Sequence, residues 1–283
     1  LSASAALPRF VEYEQQYGSI TNGLLNKSPT TSSVAGPRYS LFMSLPEGIG
    51  ALVDTIANQL PPGVVRAASE VRSIGRTPDR GFQLDVNGDK RITCDKLILA
   101  TPASIAAGLM EPLDAETSRQ LGKIPYSGCV IACLGFARNQ FPGPLPGFGF
   151  VVPEIENRRI LAASFSSSKF SGRAPKDHVL VRVFIGGASQ PERMKLPDED
   201  LIQIAIEELS DLLQLSGPPV TSVVARWDKA MPQYVTGHMR QIESIEQGVD
   251  NIGNLALVGN AYYGVGIPQC IRTAELAVER LLD

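Results

Sequence analysis

Residues 255–258, Leu-Ala-Leu-Val, form a continuous apolar run, the pattern of a strand buried on both faces of a parallel sheet. Past a glycine-rich stretch, Ile267, Ile271, Ala274, Val278 and Leu281 recur at spacings of four and three, which predicts a helix with one apolar face running to Asp283. Pro268 suits its first turn, where a missing N–H costs nothing. Near the start, residues 7–17 are amphipathic, and the Ser/Thr/Pro/Gly segment 28–37 predicts a loop. Ile49, Leu52, Val53, Ile56 and Leu60 share one helical face, stopped by Pro61-Pro62. Residues 64–74 and 81–86 read as short strands, with Asn87-Gly88 a type I′ turn into 91–93. Residues 96–100 are another buried strand.

After Pro112 the pattern changes to longer alternating runs at 129–137, 148–152, 159–164 and 179–185, which predict a largely antiparallel sheet. A helix follows Pro197, with Asp198, Glu199 and Asp200 at its positive dipole end and Leu201, Ala205, Leu209 and Leu212 as its buried stripe. Residues 221–227 return as a strand, and the chain re-enters its first domain near Asn251. The fold class is mixed α/β, in two interleaved domains, the second on a mostly antiparallel sheet.

Composition narrows the class. A chain of 283 residues with 43% hydrophobic and 19% charged residues builds a sizeable core, with room for two domains. A net charge of −3 and a pI near 5.6 give no footprint for nucleic acid. No apolar run approaches the roughly 18 residues of a membrane span, and residues 1–7 lack the basic start of a signal peptide. Cys94, Cys129, Cys133 and Cys270 read as reduced thiols in a cytoplasm and not as a disulfide framework.

The chemistry concentrates at the C-terminus. Gly259, Gly264 and Gly266 permit close backbone approach to a ligand and positive φ. A strand, a glycine-rich turn and a helix start together present N–H groups and a positive dipole to an anion.

The order of residues there carries a resemblance. Segment 258–271, Val-Gly-Asn-Ala-Tyr-Tyr-Gly-Val-Gly-Ile-Pro-Gln-Cys-Ile, resembles the C-terminal flavin motif of the protoporphyrinogen oxidases and their coproporphyrinogen-oxidising relatives, in the FAD-dependent amine oxidase superfamily. Four further segments are similar to that family in the same order: 45–54 (Leu-Pro-Glu-Gly-Ile-Gly-Ala-Leu-Val-Asp), 97–103 (Leu-Ile-Leu-Ala-Thr-Pro-Ala), 166–175 (Ser-Ser-Ser-Lys-Phe-Ser-Gly-Arg-Ala-Pro) and 226–234 (Arg-Trp-Asp-Lys-Ala-Met-Pro-Gln-Tyr). The resemblance covers nearly the whole chain. The superfamily's opening Gly-x-Gly-x-x-Gly is not present. The chain therefore reads as the C-terminal part of a longer enzyme, expected by itself to bind FAD weakly or not at all.

The resemblance implies a division into 1–40, the end of a helical membrane-docking portion and linker; 41–110 and 249–283, segments of a partial, Rossmann-like FAD-binding domain; and 111–248, the interleaved substrate domain. It implies FAD as cofactor. Val71 would read the adenine through its backbone, Thr101 and Pro102 would lie at a ligand-facing strand end, and Trp227 would wall the flavin. Gly259 and Asn260 would lie near the ribityl and phosphate portion, and Gly266, Ile267 and Pro268 near the pyrimidine end. There the helix dipole would favour the negative charge that reduction brings. Phe170 would stack on a tetrapyrrole, with Val151 as the opposite aliphatic wall.

The implied activity is oxidation of a porphyrinogen to the porphyrin in haem biosynthesis, with O₂ as oxidant and H₂O₂ as by-product. Protoporphyrinogen and coproporphyrinogen both fit. No side chain is assigned as catalytic, since the flavin performs the redox step, and no metal site is expected: His178 and His238 have no ligand spacing, and Cys129 with Cys133 reads as core. The implied location is cytoplasmic, with peripheral contact to the inner face of the cell membrane and homodimerisation left open. Two other readings stand beside this one: another flavin oxidase or desaturase of the superfamily, and a folded fragment without cofactor or activity.

Overall fold

A computed structural model of the protein describes residues 1–27 and 44–282. The loop expected at 28–37 lies outside the described residues. Helices α1 (Ala3–Ala6), α2 (Pro8–Tyr17), α3 (Ile20–Lys27) and α4 (Gly50–Gln59) come first. Next are β1 (Val71–Arg76), β2 (Phe82–Val86), β3 (Lys90–Cys94), β4 (Leu97–Leu99), α5 (Ala103–Met110) and α6 (Ala115–Gly122). The middle of the chain forms β5 (Tyr126–Ala137), β6 (Gly149–Val151), β7 (Ala162–Phe165), α7 (Ser166–Lys169), β8 (His178–Gly186), α8 (Asp198–Leu213) and β9 (Thr221–Pro232). Helix α9 (His238–Ile252), β10 (Leu255–Leu257) and α10 (Ile267–Leu282) follow. Helix and strand are mixed and the larger sheet is antiparallel where its register is defined, as the hydrophobic pattern predicts.

Two compact units result, one from Leu1–Thr31, Arg66–Tyr126 and Met231–Asp283, the other from Ser32–Val65 and Ser127–Ala230. In the first, β1, β2 and β3 form an antiparallel sheet, and β4 and β10 pair in parallel, Leu97 opposite Leu255 and Leu99 opposite Leu257. Its core gathers Ile74, Phe82, Leu99, Met110, Leu121, Ile242, Ile245 and Val249. The last three come from α9, which the sequence reading passes over, as it does α6; both helices are largely polar, and only a thin apolar stripe marks α9.

Asn87 and Gly88 adopt φ of 56° and 82°, the left-handed pair that a type I′ turn needs. The Asn87 side chain also reaches back. Its Oδ1 accepts the Glu70 N–H at 2.9 Å, and its Nδ2 donates to the Ala68 carbonyl at 3.2 Å. Ala68 has φ of 53°. These bonds hold the approach to β1 in a turn, which is why the strand begins at Val71 and not at the expected position 64.

The second unit is built on a sheet of order β6-β7-β8-β5-β9. Strand β8 alternates strictly, and Val179, Val181, Val183 and Ile185 point into a core closed by Leu201, Ala205 and Leu209 of α8. Leu212, expected in that stripe, is 36% exposed; the buried face turns instead through Ile204 and Glu208. Glu208 is held by Arg158 at 3.1 Å and by Arg159 Nε at 3.0 Å. Burial pushes its pKa up, but these bonds outweigh it and hold the carboxyl below its ordinary value.

The apolar faces of α10 and α4 are not buried along their length, and the expectation that Cys129 and Cys133 belong to the core needs correction. On α10 the inward residue is Ala277, with Leu281 beside it against Ala256 and Val258, while Ile267, Ile271 and Val278 are 48%, 48% and 43% exposed. A small residue lets that helix lie close to β10, so the bulkier stripe faces outward. Helix α4 has no buried residue, and Ile49, Val53, Ile56 and Leu60 are all exposed. Cys129 and Cys133 are half-buried free thiols, since alternate residues of β5, and not these two, fill the core.

Candidate functional site

Because β4 and β10 run in parallel, their C-terminal ends lie side by side, and Val258 N–H donates to the Leu99 carbonyl at 3.0 Å. Thr101 and Pro102 therefore neighbour Gly259 and Asn260, the place where open parallel sheets take ligands. Pro102 caps α5, whose Ile105 and Ala106 N–H groups donate to the Pro102 carbonyl. The Ala103 N–H at this helix start is taken by the Tyr126 hydroxyl at 2.9 Å. Thr101 Oγ1 is enclosed with no hydrogen-bond partner among the described residues, a cost that a ligand or water would remove.

The loop from Gly259 to Gly266 is shaped from behind by Tyr234. Its hydroxyl donates to the Asn260 carbonyl at 2.8 Å and accepts the Gly264 N–H at 2.8 Å. Tyr234 stacks on His238, and His238 Nε2 donates to the Tyr262 carbonyl at 3.1 Å. Tyr234, His238 and Tyr262 are all buried. Burial raises the pKa of both tyrosines, so they stay neutral phenols. Sequence reasoning quoted Tyr234 only as the end of a motif and set His238 aside as a metal ligand; neither signals a brace for a loop 30 residues away in sequence from Tyr234.

Gly259 has φ of 127°, and a Cβ there would meet nothing within 4 Å. Its strain favours glycine, and its flank is open to an approaching group. Gly264 and Gly266 differ. Their flanks are filled by the Gln269 side chain, whose Cγ would lie 2.7 Å from a Cβ on Gly264. Ile267 and Pro268 form the exposed first turn of α10. Val71, at the start of β1, is half-buried against the same core as Ile74 and Phe82. The open Gly259 flank, the orphaned Thr101 hydroxyl and the parallel strand ends fit a phosphate-bearing cofactor of the flavin kind.

In the second unit, Val151 and Phe170 line one depression of about 580 Å³ with Phe150, Phe184, Lys169 and Arg182. Val151 is 79% exposed on β6; Phe170 ends the short α7, its N–H donating to Ser166. Arg173 fixes the neighbouring segment, donating to Ser44 Oγ at 2.9 Å and to the Leu45 carbonyl at 2.7 Å. Trp227, on β9, is 55% exposed and so is not a core residue. The adjoining Arg226 donates to the Met194 and Leu196 carbonyls at 2.6 and 2.8 Å and pairs with Asp198, tying down the entry to α8.

Among the described residues, no group of acidic, histidine and cysteine side chains could hold a metal, and no helix is long and apolar enough to cross a membrane.

A parallel strand pair ending in a glycine-rich loop, in a chain that also carries an antiparallel sheet, is a flavoenzyme architecture. Residues 1–282 match the family of flavin containing amine oxidoreductases, and the chain belongs to that family. Coproporphyrinogen III oxidase of Bacillus subtilis (strain 168) is 27% identical over 285 residues, covering 100% of this chain and 60% of that protein. The chloroplastic protoporphyrinogen oxidase of Nicotiana tabacum is 25% identical over 302 residues, covering 99% of this chain and 55% of that protein. A crystal structure from Exiguobacterium sp. 255-15, of a protein assigned as a protoporphyrinogen oxidase, matches with a TM-score of 0.84 at 25% identity, covering 99% of this chain and 59% of that one. The chain thus spans about three-fifths of the length of these relatives.

Proposed function

We propose that the protein is an FAD-dependent porphyrinogen oxidase, which converts protoporphyrinogen or coproporphyrinogen to the porphyrin and passes the electrons to O₂. Removing three pairs of hydrogens from the macrocycle reduces three O₂ to three H₂O₂. The observation that carries this reading is the match of the whole chain to a flavin family whose similar members are named for porphyrinogen oxidation. When bound, FAD supplies the two-electron acceptor. The chain's own part is binding and orientation.

Gly259, with its open flank, and Asn260 would hold the ribityl and phosphate portion. Thr101 and Pro102 would lie against the cofactor at the neighbouring strand end, and Val71 would present its backbone to the adenine. Gly266, Ile267 and Pro268 would bring the start of α10 to the flavin ring, which Trp227 would wall. Phe170 and Val151, on one depression of the second unit, support a large apolar macrocycle as substrate, which needs facing apolar walls more than it needs hydrogen bonds. A cytoplasmic location accompanies this reading.

The exposed Ile267, Ile271 and Val278 stripe on α10 favours a second reading for the chain by itself, in which FAD is held weakly or not at all. One experiment separates the two. The purified chain, and a longer form of the protein, are mixed with FAD, desalted and scanned near the flavin band at roughly 450 nm. A band retained by either, followed by oxygen-dependent porphyrinogen oxidation with H₂O₂ release, supports the proposal. A band on the longer form alone assigns this chain the second reading. Loss of the band from both overturns the flavin site.

A further inference from the structure

Strands β5, β6, β7 and β8 contain a single residue from among Lys, Arg, Asp and Glu, and it is Arg182. On β8 the odd-numbered neighbours Val181 and Val183 face the core, so Arg182 shares the opposite face with Leu180 and Phe184. Its cross-strand partners there are Ser164 on β7 and Cys133 on β5, neither of them anionic. The guanidinium carbon lies 5.4 Å from the Phe184 ring centroid. The residue is half-buried, and among the described residues no carboxylate forms an ion pair with it. Arg158, Arg159 and Arg226, by contrast, are all paired with acids.

A partly desolvated cation on an apolar sheet face costs free energy that an incoming anion recovers, and a guanidinium takes a carboxylate through two parallel hydrogen bonds. Arg182 lines the same depression as Phe148, Phe150, Val151 and Phe170, with the Lys169 ammonium as a second cation carried by α7 and not by the sheet. Four phenylalanines and one unpaired guanidinium suit a ligand that is flat and apolar over most of its area and carries a carboxylate at its rim.

We propose that Arg182 is the carboxylate anchor of this depression, and that it fixes which edge of a planar ligand enters. Identifying that ligand as a tetrapyrrole rests on the function proposed above; the anchor itself does not.

The test is a fluorescence titration of the full chain with two probes. The first is protoporphyrin IX against its dimethyl ester, which keeps the ring and loses the charge. The wild type should bind the diacid more tightly than the ester. Arg182→Gln should weaken the diacid roughly tenfold to hundredfold, the range for a lost charge-assisted hydrogen bond, and leave the ester unchanged. Arg182→Lys, which keeps charge without the planar fork, should fall between. The second probe, 8-anilinonaphthalene-1-sulfonate, is an aromatic anion unrelated to porphyrins, and Arg182→Gln should weaken it too. If the wild type binds the sulfonate through Arg182 but neither porphyrin, the porphyrinogen reading falls and the anchor stands. If Arg182→Gln binds the diacid, the ester and the sulfonate as the wild type does, the anchor is overturned.

Discussion

The imidazole of His238 lies flat on the ring of Tyr234, with centroids 4.0 Å apart and planes 12° from parallel. Its Nε2 faces the Tyr262 carbonyl, which only accepts, so the neutral ring carries its proton on Nε2. Nδ1 is left as a buried acceptor with no partner among the described residues. Burial holds the imidazole below its ordinary pKa, against the opposing effect of the Tyr262 carbonyl.

The sign of the resulting pH effect follows. As pH falls through about 6.5 the unfolded histidine takes up a proton that the folded one refuses, so stability declines from there toward the depressed folded value. His238→Phe keeps the stack and removes the titration. It should cost about 1–2 kcal/mol at neutral pH and reduce the stability difference between about pH 7.5 and about pH 5.5 in urea titrations. An unchanged difference would show that His238 is not the titrating group.

Tyr234→Phe isolates the hydroxyl that bridges Asn260 and Gly264. The ring and its stack remain, while the Gly264 N–H loses its acceptor and the Asn260 carbonyl its donor. Stability should drop by about 1–2 kcal/mol, and the Gly264 amide should exchange with solvent faster in the cofactor-free chain. Unaltered Gly264 exchange in a folded variant would remove the brace from the account of the loop.

Gly259 and Gly264 both have positive φ, 127° and 135°, for different surroundings. Gly259→Ala should cost about 1–3 kcal/mol from backbone strain alone, with no relief from changing Gln269. Gly264→Ala adds a collision with Gln269, so its larger cost should be partly rescued by Gln269→Ala. A double-mutant cycle by thermal unfolding measures this; equal coupling of both glycines to Gln269 would contradict the geometry.

Glu208 is 6% exposed and accepts from Arg158, from Arg159 Nε and from the Arg159 backbone N–H. Glu208→Ala removes the buried one of two carboxylates from each guanidinium, leaving Asp211 to Arg158 and Glu207 to Arg159, and should destabilise the second unit by about 1–3 kcal/mol. Because its folded pKa is depressed, this stabilisation is present above the unfolded carboxylate range and is lost as pH falls through the folded value. Acid titration of wild type against variant should show the two curves converging at low pH; parallel curves would place the ion pair's contribution elsewhere.

Much of the local structure was legible in residue order. Apolar runs and alternation foretold β10, β5 and β8, the Asn87-Gly88 turn needed only its two residues, and Pro268 marked the start of α10. These features depend on backbone preference and on periodicity, which neighbouring residues set among themselves. The segments around Gly259 and Phe170 stood out through family resemblance, since each occupies a contiguous stretch of chain.

What periodicity left undecided was direction and partnership. It marked an apolar face on α10 but not that Ala277 and Leu281 would turn inward while Ile267 and Ile271 faced out. It did not mark Arg182, nor show that this residue would share a depression with Phe170. It gave no hint that Tyr234 would hold a loop through Gly264, 30 residues later. These outcomes depend on contacts between residues far apart in the chain, whose free energy exists only once the packing has formed. Amino-acid order determined which elements form and the family to which they belong; tertiary packing alone decided which faces are buried, and which polar groups acquire partners and which remain without one.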